Sequence, residues 1–450
     1  MPSTTTVTAP ATAPVTAPAT TTATAVAPAR PARPPVRWDV VHLLACAAFA
    51  LGLALVTSLT PHRVWGVCAA LGYGTAAILA ARDPRPWTGR ALRAATVGAV
   101  LLPLALLIVL GGAQSEVGVV EHSGALLLHT GSPYPAHPTT LDDYNPYLPG
   151  MALFGLPHAL QGDTPLAPLT DARLWFCAAF VACMYATTRC RTGRTAGSAR
   201  TAQTAGSVRT ALLVSFPAVA LPLAVGGVDL PVIGLMCLGL ALAGRAGSGP
   251  GPGTGVAAGL AIGAAASLKW TAWPLLPVAL VLIAVTAGRS TAVRAAATAL
   301  LTAAAAVLPV ALADPHAFVE HVVLFPLGKG GIQSPATSPL PGHLLAEYVP
   351  GGFVLAVALL VASAVAVAAS LVVRPPHTVW AAADRLAVGL GLAMCLIPAT
   401  RFGYLVYPIV LAVWFRVGAY DERRESRGEL GDIGRDRAAW ATNGHTRHDS

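Results

Sequence analysis

Residues 255–288 read GVAAGLAIGAAASLKWTAWPLLPVALVLIAVTAG, a stretch that is apolar throughout apart from one lysine near its middle. A single helix of this length would be about 50 Å long, whereas the hydrocarbon core of a bilayer is about 30 Å thick. We therefore interpret the stretch as two membrane-crossing helices that meet at Lys269. Two more stretches have a similar length and a similar charged interruption: 210–244 with Asp229, and 386–416 with Arg401.

The composition places the whole chain in the membrane class. Of its 450 residues, 55% are hydrophobic and 11% are charged, and the mean hydropathy is +0.63. This is more apolar surface than a soluble core can bury, so we expect an all-α, polytopic transmembrane bundle that lies in a lipid bilayer. The net charge of +9 does not indicate a nucleic-acid partner, because the arginines punctuate hydrophobic runs and form no basic stripe interleaved with aromatic residues.

The arginine pattern sets the predicted topology. Six further apolar segments have the length of single spans: 40–60, 64–81, 94–112, 172–188, 295–313 and 353–373. With each long stretch counted as two crossings, the prediction is about twelve spans with both termini cytoplasmic. This arrangement places 24 of the 29 Lys and Arg residues on the cytoplasmic side, where short loops collect positive charge. We expect the membrane to be the plasma membrane.

The predicted spans and the local composition divide the chain into regions. The Thr/Ala/Pro-rich residues 1–37 contain no leucine and no aromatic residue, so we predict a disordered cytoplasmic tail. The other predicted regions are an N-terminal transmembrane hairpin (38–93), a main transmembrane domain (94–418) with large outer loops at 113–171 and 314–352, and a charged cytoplasmic tail (419–450).

The predicted outer face collects the charges that suggest chemistry. A lysine or arginine inside apolar sequence costs about 3 kcal/mol unless it is paired or lines a wet cavity, which makes Lys269 and Arg401 candidates for a functional site. Two cations beside a bilayer could neutralise the phosphate of a lipid-linked substrate, and a carboxylate could take the proton of an attacking hydroxyl. We include six more residues in the candidate substrate-binding and phosphate-binding set: Asp229, Asp142, Asp143, Tyr134, Tyr404 and His343. We expect no metal, because the loop histidines lack ligand spacing, and no cofactor.

Four segments resemble a known enzyme group. They are EVGVVEHSGALLLHTGSPY (116–134), YNPYLPGMALFGLP (144–157), VGGVDLPVIGLMCLGLAL (225–242) and GLAIGAAASLKWTAWPLLPVAL (259–280). Together they resemble polytopic GT-C glycosyltransferases, and most of all glycosyltransferase family 87, the polyprenol-phosphate-mannose-dependent α-mannosyltransferases of actinobacteria. The resemblance covers roughly 94–416. It implies a polyprenyl-phosphate sugar donor, a sugar that is mannose, and a glycan or glycolipid acceptor.

The resemblance also implies where the catalytic base lies. The family begins its first outer loop with an acidic residue, which here is Glu116, where aspartate is usual. Glu121, one helical turn further on, is the alternative base. The loop follows the third predicted span instead of the first, which the additional N-terminal hairpin explains.

Parts of this loop are too short to cross a bilayer. Segments 117–128 and 148–160 are predicted to be short helices in the membrane interface, with Tyr134, Tyr144 and Tyr147 as aromatic anchors.

Two other classes of protein fit a twelve-span plan: a secondary transporter, and a lipid-glycan flippase or polymerase. The longest loops are predicted to be external and the interrupting charges to lie at outer tips, which favours the glycosyltransferase over the transporter.

The topology is testable by cysteine labelling. We expect cysteines introduced at Gly131 and Ser338 to react with a membrane-impermeant thiol reagent in intact cells. A cysteine at Ser198, in a predicted cytoplasmic loop, should react only after the membrane is permeabilised. Labelling at Ser198 in intact cells would contradict the orientation.

Overall fold

The computed structural model describes residues 37–161, 164–165, 167–192, 208–247, 253–332 and 336–416. The predicted tails therefore lie outside the described residues, except for Arg37, and so does Ser198. Within the described ranges the chain is helical and contains no β-strand, apart from an isolated parallel bridge between Thr337 and Thr400. The all-α prediction is confirmed for this part of the chain.

The helices are numbered in chain order. They are α1 (Trp38–Val56), α2 (Thr60–Arg82), α3 (Gly89–Val109), α4 (Ser115–Thr130), α5 (Leu156–Gln161), α6 (Ala167–Thr170), α7 (Ala172–Thr192), α8 (Val208–Val214), α9 (Pro217–Val225), α10 (Asp229–Ala246), α11 (Gly253–Leu268), α12 (Leu275–Ala287), α13 (Arg289–Ala313), α14 (Pro315–Val319), α15 (Pro341–Tyr348), α16 (Gly352–Val373), α17 (Val379–Leu396) and α18 (Phe402–Arg416). Short 3₁₀ turns lie at Leu141–Asp143, Pro149–Phe154, Trp270–Ala272 and Phe402–Leu405, the last forming the start of α18, and π turns lie at Val97–Leu101 and Glu320–Leu324.

Eight helices of the described chain are long and apolar enough to cross a membrane. They are α1, α2, α3, α10, α12 with its preceding turn, α13, α16 and α17. The pair α8 and α9, bent by 70°, would make a ninth span if counted as one. Helices α7, α11 and α18 form where spans were predicted, but α11 and α18 are shorter and α7 is not among the eight. A multi-pass membrane protein is supported, and the count of twelve stays a prediction.

Each of the three long apolar stretches is broken into two helices at its predicted charge. Asp229 is the first residue of α10, Lys269 separates α11 from the next 3₁₀ turn, and Arg401 directly precedes α18. The first break depends on Gly226, whose φ of 109° lies in the left-handed region and whose missing Cβ would lie 2.1 Å from Val117. Glycine is therefore required where α9 ends against α4.

The N-terminal hairpin packs tightly on the rest of the bundle. The indole of Trp65 on α2 is fully buried and donates a hydrogen bond of 2.8 Å to the carbonyl of Ala99 on α3. Gly72 and Gly98 let the two backbones meet, because a Cβ on Gly72 would lie 2.5 Å from the Cα of Gly98. Helices α2 and α3 are thus in direct backbone contact.

The first large loop folds into short helices, as predicted. Segment 117–128 lies within α4, and segment 148–160 forms the 3₁₀ turn Pro149–Phe154 and most of α5. Their position in the membrane interface stays a prediction.

The loop tyrosines do not act as exposed anchors, so that prediction is wrong. Tyr134, Tyr144 and Tyr147 are all buried. Tyr134 donates a hydrogen bond of 2.8 Å to the carbonyl of Tyr147, and Tyr144 stacks on Phe325 at 4.4 Å. The rings pack within the protein because the two large loops contact each other.

A buried histidine joins these loops. The Nδ1 atom of His321 accepts the backbone N–H of Asn145 at 3.1 Å, and its Nε2 atom lies 2.8 Å from the carbonyl of Pro135. Only a neutral imidazole with its proton on Nε2 satisfies both partners. Burial lowers the pKa of His321, in agreement with a neutral ring.

This contact predicts an acid-sensitive loop interface. Because the folded pKa is lowered, the unfolded chain binds more protons, and stability rises with pH. The contribution is complete above the ordinary imidazole pKa of about 6.5 and is lost as the pH falls through that value towards the folded one. We expect the thermal unfolding temperature in detergent to be lower at pH 5.5 than at pH 7.5. Protonated His321 cannot accept the Asn145 N–H, and leaving that group unsatisfied lowers the free energy of unfolding by about 1–3 kcal/mol.

His321→Gln should reduce this pH dependence, whereas His122→Gln, which removes an exposed histidine on α4, should not. Equal slopes in the wild type and His321→Gln would contradict the assignment.

Candidate functional site

Two ion pairs meet where the apolar stretches are broken. Arg401 donates from Nη1 to Oε1 of Glu116, and Nζ of Lys269 lies 2.5 Å from Oδ1 of Asp229. Lys269 is also close enough to interact electrostatically with Glu116. The structure therefore gathers four of the predicted site residues into one cluster, which we call the paired-charge site.

The two pairs have the same local construction. Each cation has extended backbone, with φ and ψ of −159° and 146° at Lys269 and −130° and 142° at Arg401. A 3₁₀ turn follows each cation directly. Each carboxylate lies in the first turn of an α-helix, α4 for Glu116 and α10 for Asp229, where the helix dipole favours negative charge.

The first large loop fixes the position of Lys269. The backbone N–H of Leu148 donates 3.0 Å to the carbonyl of Leu268, the last residue of α11. Gly150 lies against the next-to-last residue, since a Cβ there would be 2.5 Å from Oγ of Ser267. The loop thus caps α11 and holds the chain extended at Lys269.

Tyrosines complete the surroundings of the lysine. The hydroxyl of Tyr407 on α18 donates 2.7 Å to Oδ1 of Asp229 and accepts a hydrogen bond of 2.8 Å from Thr271. Nζ of Lys269 lies 4.9 Å from the ring centre of Tyr404 and 5.4 Å from that of Tyr147. These contacts hold the ammonium group between aromatic faces.

The second large loop fixes the position of Arg401. The backbone of Thr400 donates to the carbonyl of Ala336 and accepts from the N–H of Ser338, both at 2.9 Å. Nδ1 of His343 lies 3.1 Å from the carbonyl of Pro398. The structure therefore places His343 beside the break that precedes Arg401, where it supports the backbone.

All four side chains of the paired-charge site are partly exposed at the protein surface. The exposed fraction of the side chain is 37% for Arg401 and 19% for Glu116, against 12% for Lys269 and 15% for Asp229. The Arg401–Glu116 pair is therefore the more accessible of the two, and a ligand would meet it first.

The structure separates the two candidate bases. Glu121 accepts the backbone N–H of Ala172 at 3.0 Å, at the start of α7. Nearby, Arg173 pairs with Asp171 at 2.6 Å and donates to the carbonyl of Gly112. Burial raises the pKa of Glu121. Glu121 thus takes part in a network that orients α7.

The remaining predicted residues have other contacts. Asp143 accepts the backbone N–H groups of Thr139 and Thr140, which lowers its pKa to about 2. Asp142 lies exposed beside it, and the hydroxyl of Tyr134 donates its hydrogen bond to the carbonyl of Tyr147. Among the described residues, no group of three or more His, Cys, Asp or Glu side chains is arranged to hold a metal ion.

Three residues of the site were missed from the sequence: Tyr147, Thr271 and Tyr407. A weak signal existed for one of them, because Tyr404 and Tyr407 are three residues apart and share a helix face. Tyr147 and Thr271 carried no such signal.

Comparison with known proteins identifies the family. The chain matches glycosyltransferase family 87 over residues 145–398, which include Asp229 and Lys269. The match begins after Glu116 and ends before Arg401. No curated protein and no solved structure matches the chain. Because the family match covers more than half of the 450 residues, the chain belongs to glycosyltransferase family 87.

Proposed function

We propose that this membrane glycosyltransferase moves mannose from a polyprenyl-phosphate donor to a hydroxyl of a glycan or glycolipid acceptor, with inversion, at the outer face of the plasma membrane. The observation that carries the proposal is the paired-charge site, in which two cations and two carboxylates meet at the breaks between apolar helices. Family membership supports sugar transfer over the transporter, flippase and polymerase alternatives.

The accessible ion pair suggests how the donor binds. Arg401 presents a planar guanidinium that can grip two phosphate oxygens, and its side chain is the most exposed of the four. We propose that the donor phosphate binds the Arg401 guanidinium and displaces the Glu116 carboxylate from it. Binding of the donor then frees the Glu116 carboxylate for the acceptor hydroxyl.

The charges balance through the transfer step. The acceptor oxygen forms a bond to the anomeric carbon, and its proton passes to Glu116. The bond between the anomeric carbon and the phosphate oxygen breaks, and its electron pair stays on the phosphate. The phosphate gains one negative charge while Glu116 loses one, and Arg401 and Lys269 stabilise the charge that develops on the leaving group.

The second ion pair has a positioning role in this proposal. Both hydrogen bonds that the structure gives to the Asp229 carboxylate, from Lys269 and from Tyr407, go to Oδ1. This double contact fixes the lysine with respect to α10 and α18. A retaining mechanism would need a carboxylate nucleophile in addition to the base, so one freed carboxylate, Glu116, favours inversion.

The proposed enzyme has the regions and the topology that the sequence predicts. The catalytic region extends over 94–418, its outer loops are 113–171 and 314–352, and both termini are cytoplasmic. The N-terminal hairpin at 38–93 adds two spans. Half-exposed aromatic residues follow both cations, Trp270 after Lys269 and Phe402 after Arg401, and offer apolar surface to the donor.

Glu116→Gln tests the base. We expect a loss of transfer of about 10²–10⁴-fold, because the acceptor hydroxyl then has no proton acceptor. Donor binding should be retained or become tighter, since Arg401 no longer has a competing carboxylate. Transfer of radiolabelled mannose from polyprenyl-phosphate-mannose and binding of the same donor are the two measurements.

Glu121→Gln is the matched control for this variant. It should lower thermal stability while the turnover number stays within a few-fold of the wild type. If Glu116→Gln transfers at the wild-type rate, Glu116 is not the base.

The cations are tested by charge removal. Lys269→Ala and Arg401→Ala should each raise the KM for the donor at least tenfold, and Lys269→Arg should restore only part of the loss because the guanidinium has a different shape. Lys269→Ala also leaves Asp229 unpaired, which destabilises the fold. The double variant Lys269→Gln/Asp229→Asn removes both charges together and separates the two effects.

Compared with Lys269→Ala, the double variant should recover thermal stability, but its KM for the donor should stay raised. Recovery of both properties would show that Lys269 serves only to pair Asp229. Unchanged donor kinetics in both alanine variants would contradict the phosphate-binding role.

A further inference from the structure

The N-terminal hairpin contributes a histidine next to the paired-charge site. His62 lies in the first turn of α2, and its Nε2 atom is 3.4 Å from the side-chain nitrogen of Gln114. Gln114 is the N-cap residue of α4, the helix that carries Glu116. Both His62 and Glu116 precede residue 145, where the family match begins.

Gln114 is a fixed point in the backbone. Its N–H donates 3.0 Å to the carbonyl of Val225 at the end of α9, and its carbonyl accepts the N–H of Val117 at 3.0 Å. A contact from His62 to the Gln114 side chain therefore acts on the start of α4. Glu116 follows Gln114 by two residues.

His62 lies close enough to Glu116 for the charge of one to affect the other. The contact with Gln114 uses one ring nitrogen, while the other, Nδ1, is buried without a hydrogen-bond partner in the described protein. Buried polar atoms of this kind are uncommon, and the described residues contain two others, on His158 and Trp414.

We propose that His62 is a positioning residue for Glu116, and that sugar transfer requires its imidazole to be neutral. This inference rests on the proposed function of Glu116 as base. A neutral ring contacts Gln114 and adds no charge to the surroundings of the Arg401–Glu116 pair. A protonated ring adds a further positive charge near Glu116, which stabilises the carboxylate and weakens it as a proton acceptor.

The charged groups around His62 are few among the described residues. Glu116 faces it from α4, Arg401, just before α18, acts through its pair with Glu116, and Arg63 is exposed on α2 itself. An added positive charge should also attract the donor phosphate. Protonation of His62 is therefore expected to lower kcat without raising the KM for the donor.

The test compares two substitutions at His62. His62→Gln keeps a polar contact with Gln114 but cannot titrate. His62→Phe keeps an aromatic ring but loses both the polar contact with Gln114 and the titrating group. The control is His122→Gln, which removes an exposed histidine from α4. Transfer from polyprenyl-phosphate-mannose to an alkyl α-mannoside is measured between pH 5 and pH 8 in detergent.

We expect the wild-type kcat to fall towards pH 5 with a step in the imidazole range, and this step to be missing in His62→Gln. His62→Phe should lower kcat about tenfold at every pH, and His122→Gln should match the wild type. A wild-type pH profile in His62→Gln would overturn the proposal. Equal losses in His62→Gln and His62→Phe at every pH would also overturn it, because packing alone would then explain both.

A second measurement does not depend on turnover. Histidine NMR of the ¹⁵N-labelled protein, with His62 assigned from the His62→Gln spectrum, follows the titration of the ring. In Glu116→Gln the midpoint of the His62 titration should move to lower pH, because the negative charge that favours the imidazolium is gone. An unchanged midpoint would overturn the His62–Glu116 coupling, whereas failure of the wild type to transfer mannose would contradict the proposed function instead.

Discussion

Charges placed inside apolar sequence must be compensated, and this constraint determines how the helices that carry the paired-charge site pack together. Lys269 and Arg401 each interrupt a long apolar stretch, and each is paired with a carboxylate from the first turn of a helix distant in the chain. For the more buried of the two pairs, Lys269–Asp229, removing one partner would leave the other charge uncompensated, which costs about 3–5 kcal/mol in a fully buried pair. The cluster contains two positive and two negative groups, and in the proposed mechanism the donor phosphate replaces Glu116 on the more exposed cation, Arg401.

Backbone contacts from both large loops hold these charges in place. The first loop caps α11 through Leu148, and the second binds the segment before α18 through Ala336 and Ser338. The loops also contact each other through His321. The paired-charge site is therefore built on backbone hydrogen bonds as well as on side chains, which gives a reacting group the fixed geometry that transfer chemistry requires.

The sequence predicted the helix breaks well, because the length of an apolar stretch and the cost of a buried charge are both local properties. Lys269, Asp229 and Arg401 could be recognised in this way. It could not predict which charges pair, since Arg401 and Glu116 are 285 residues apart. Nor did the sequence distinguish tyrosines that face a membrane from tyrosines buried between loops, as Tyr134 and Tyr144 show. The contact of Glu121, the alternative base, with the backbone N–H of Ala172 joins residues 51 apart and could not be predicted from the sequence either.

The central step of the proposed mechanism is the exchange of Arg401 from Glu116 to the donor phosphate. A cryo-electron microscopy structure of the protein with a non-hydrolysable polyprenyl-phosphonate mannoside would test it directly. We predict that the Arg401 guanidinium and the Lys269 ammonium contact phosphonate oxygens, and that the Glu116 carboxylate is released from Arg401 and faces the anomeric carbon. A phosphonate bound elsewhere, with the Arg401–Glu116 pair intact, would contradict the account.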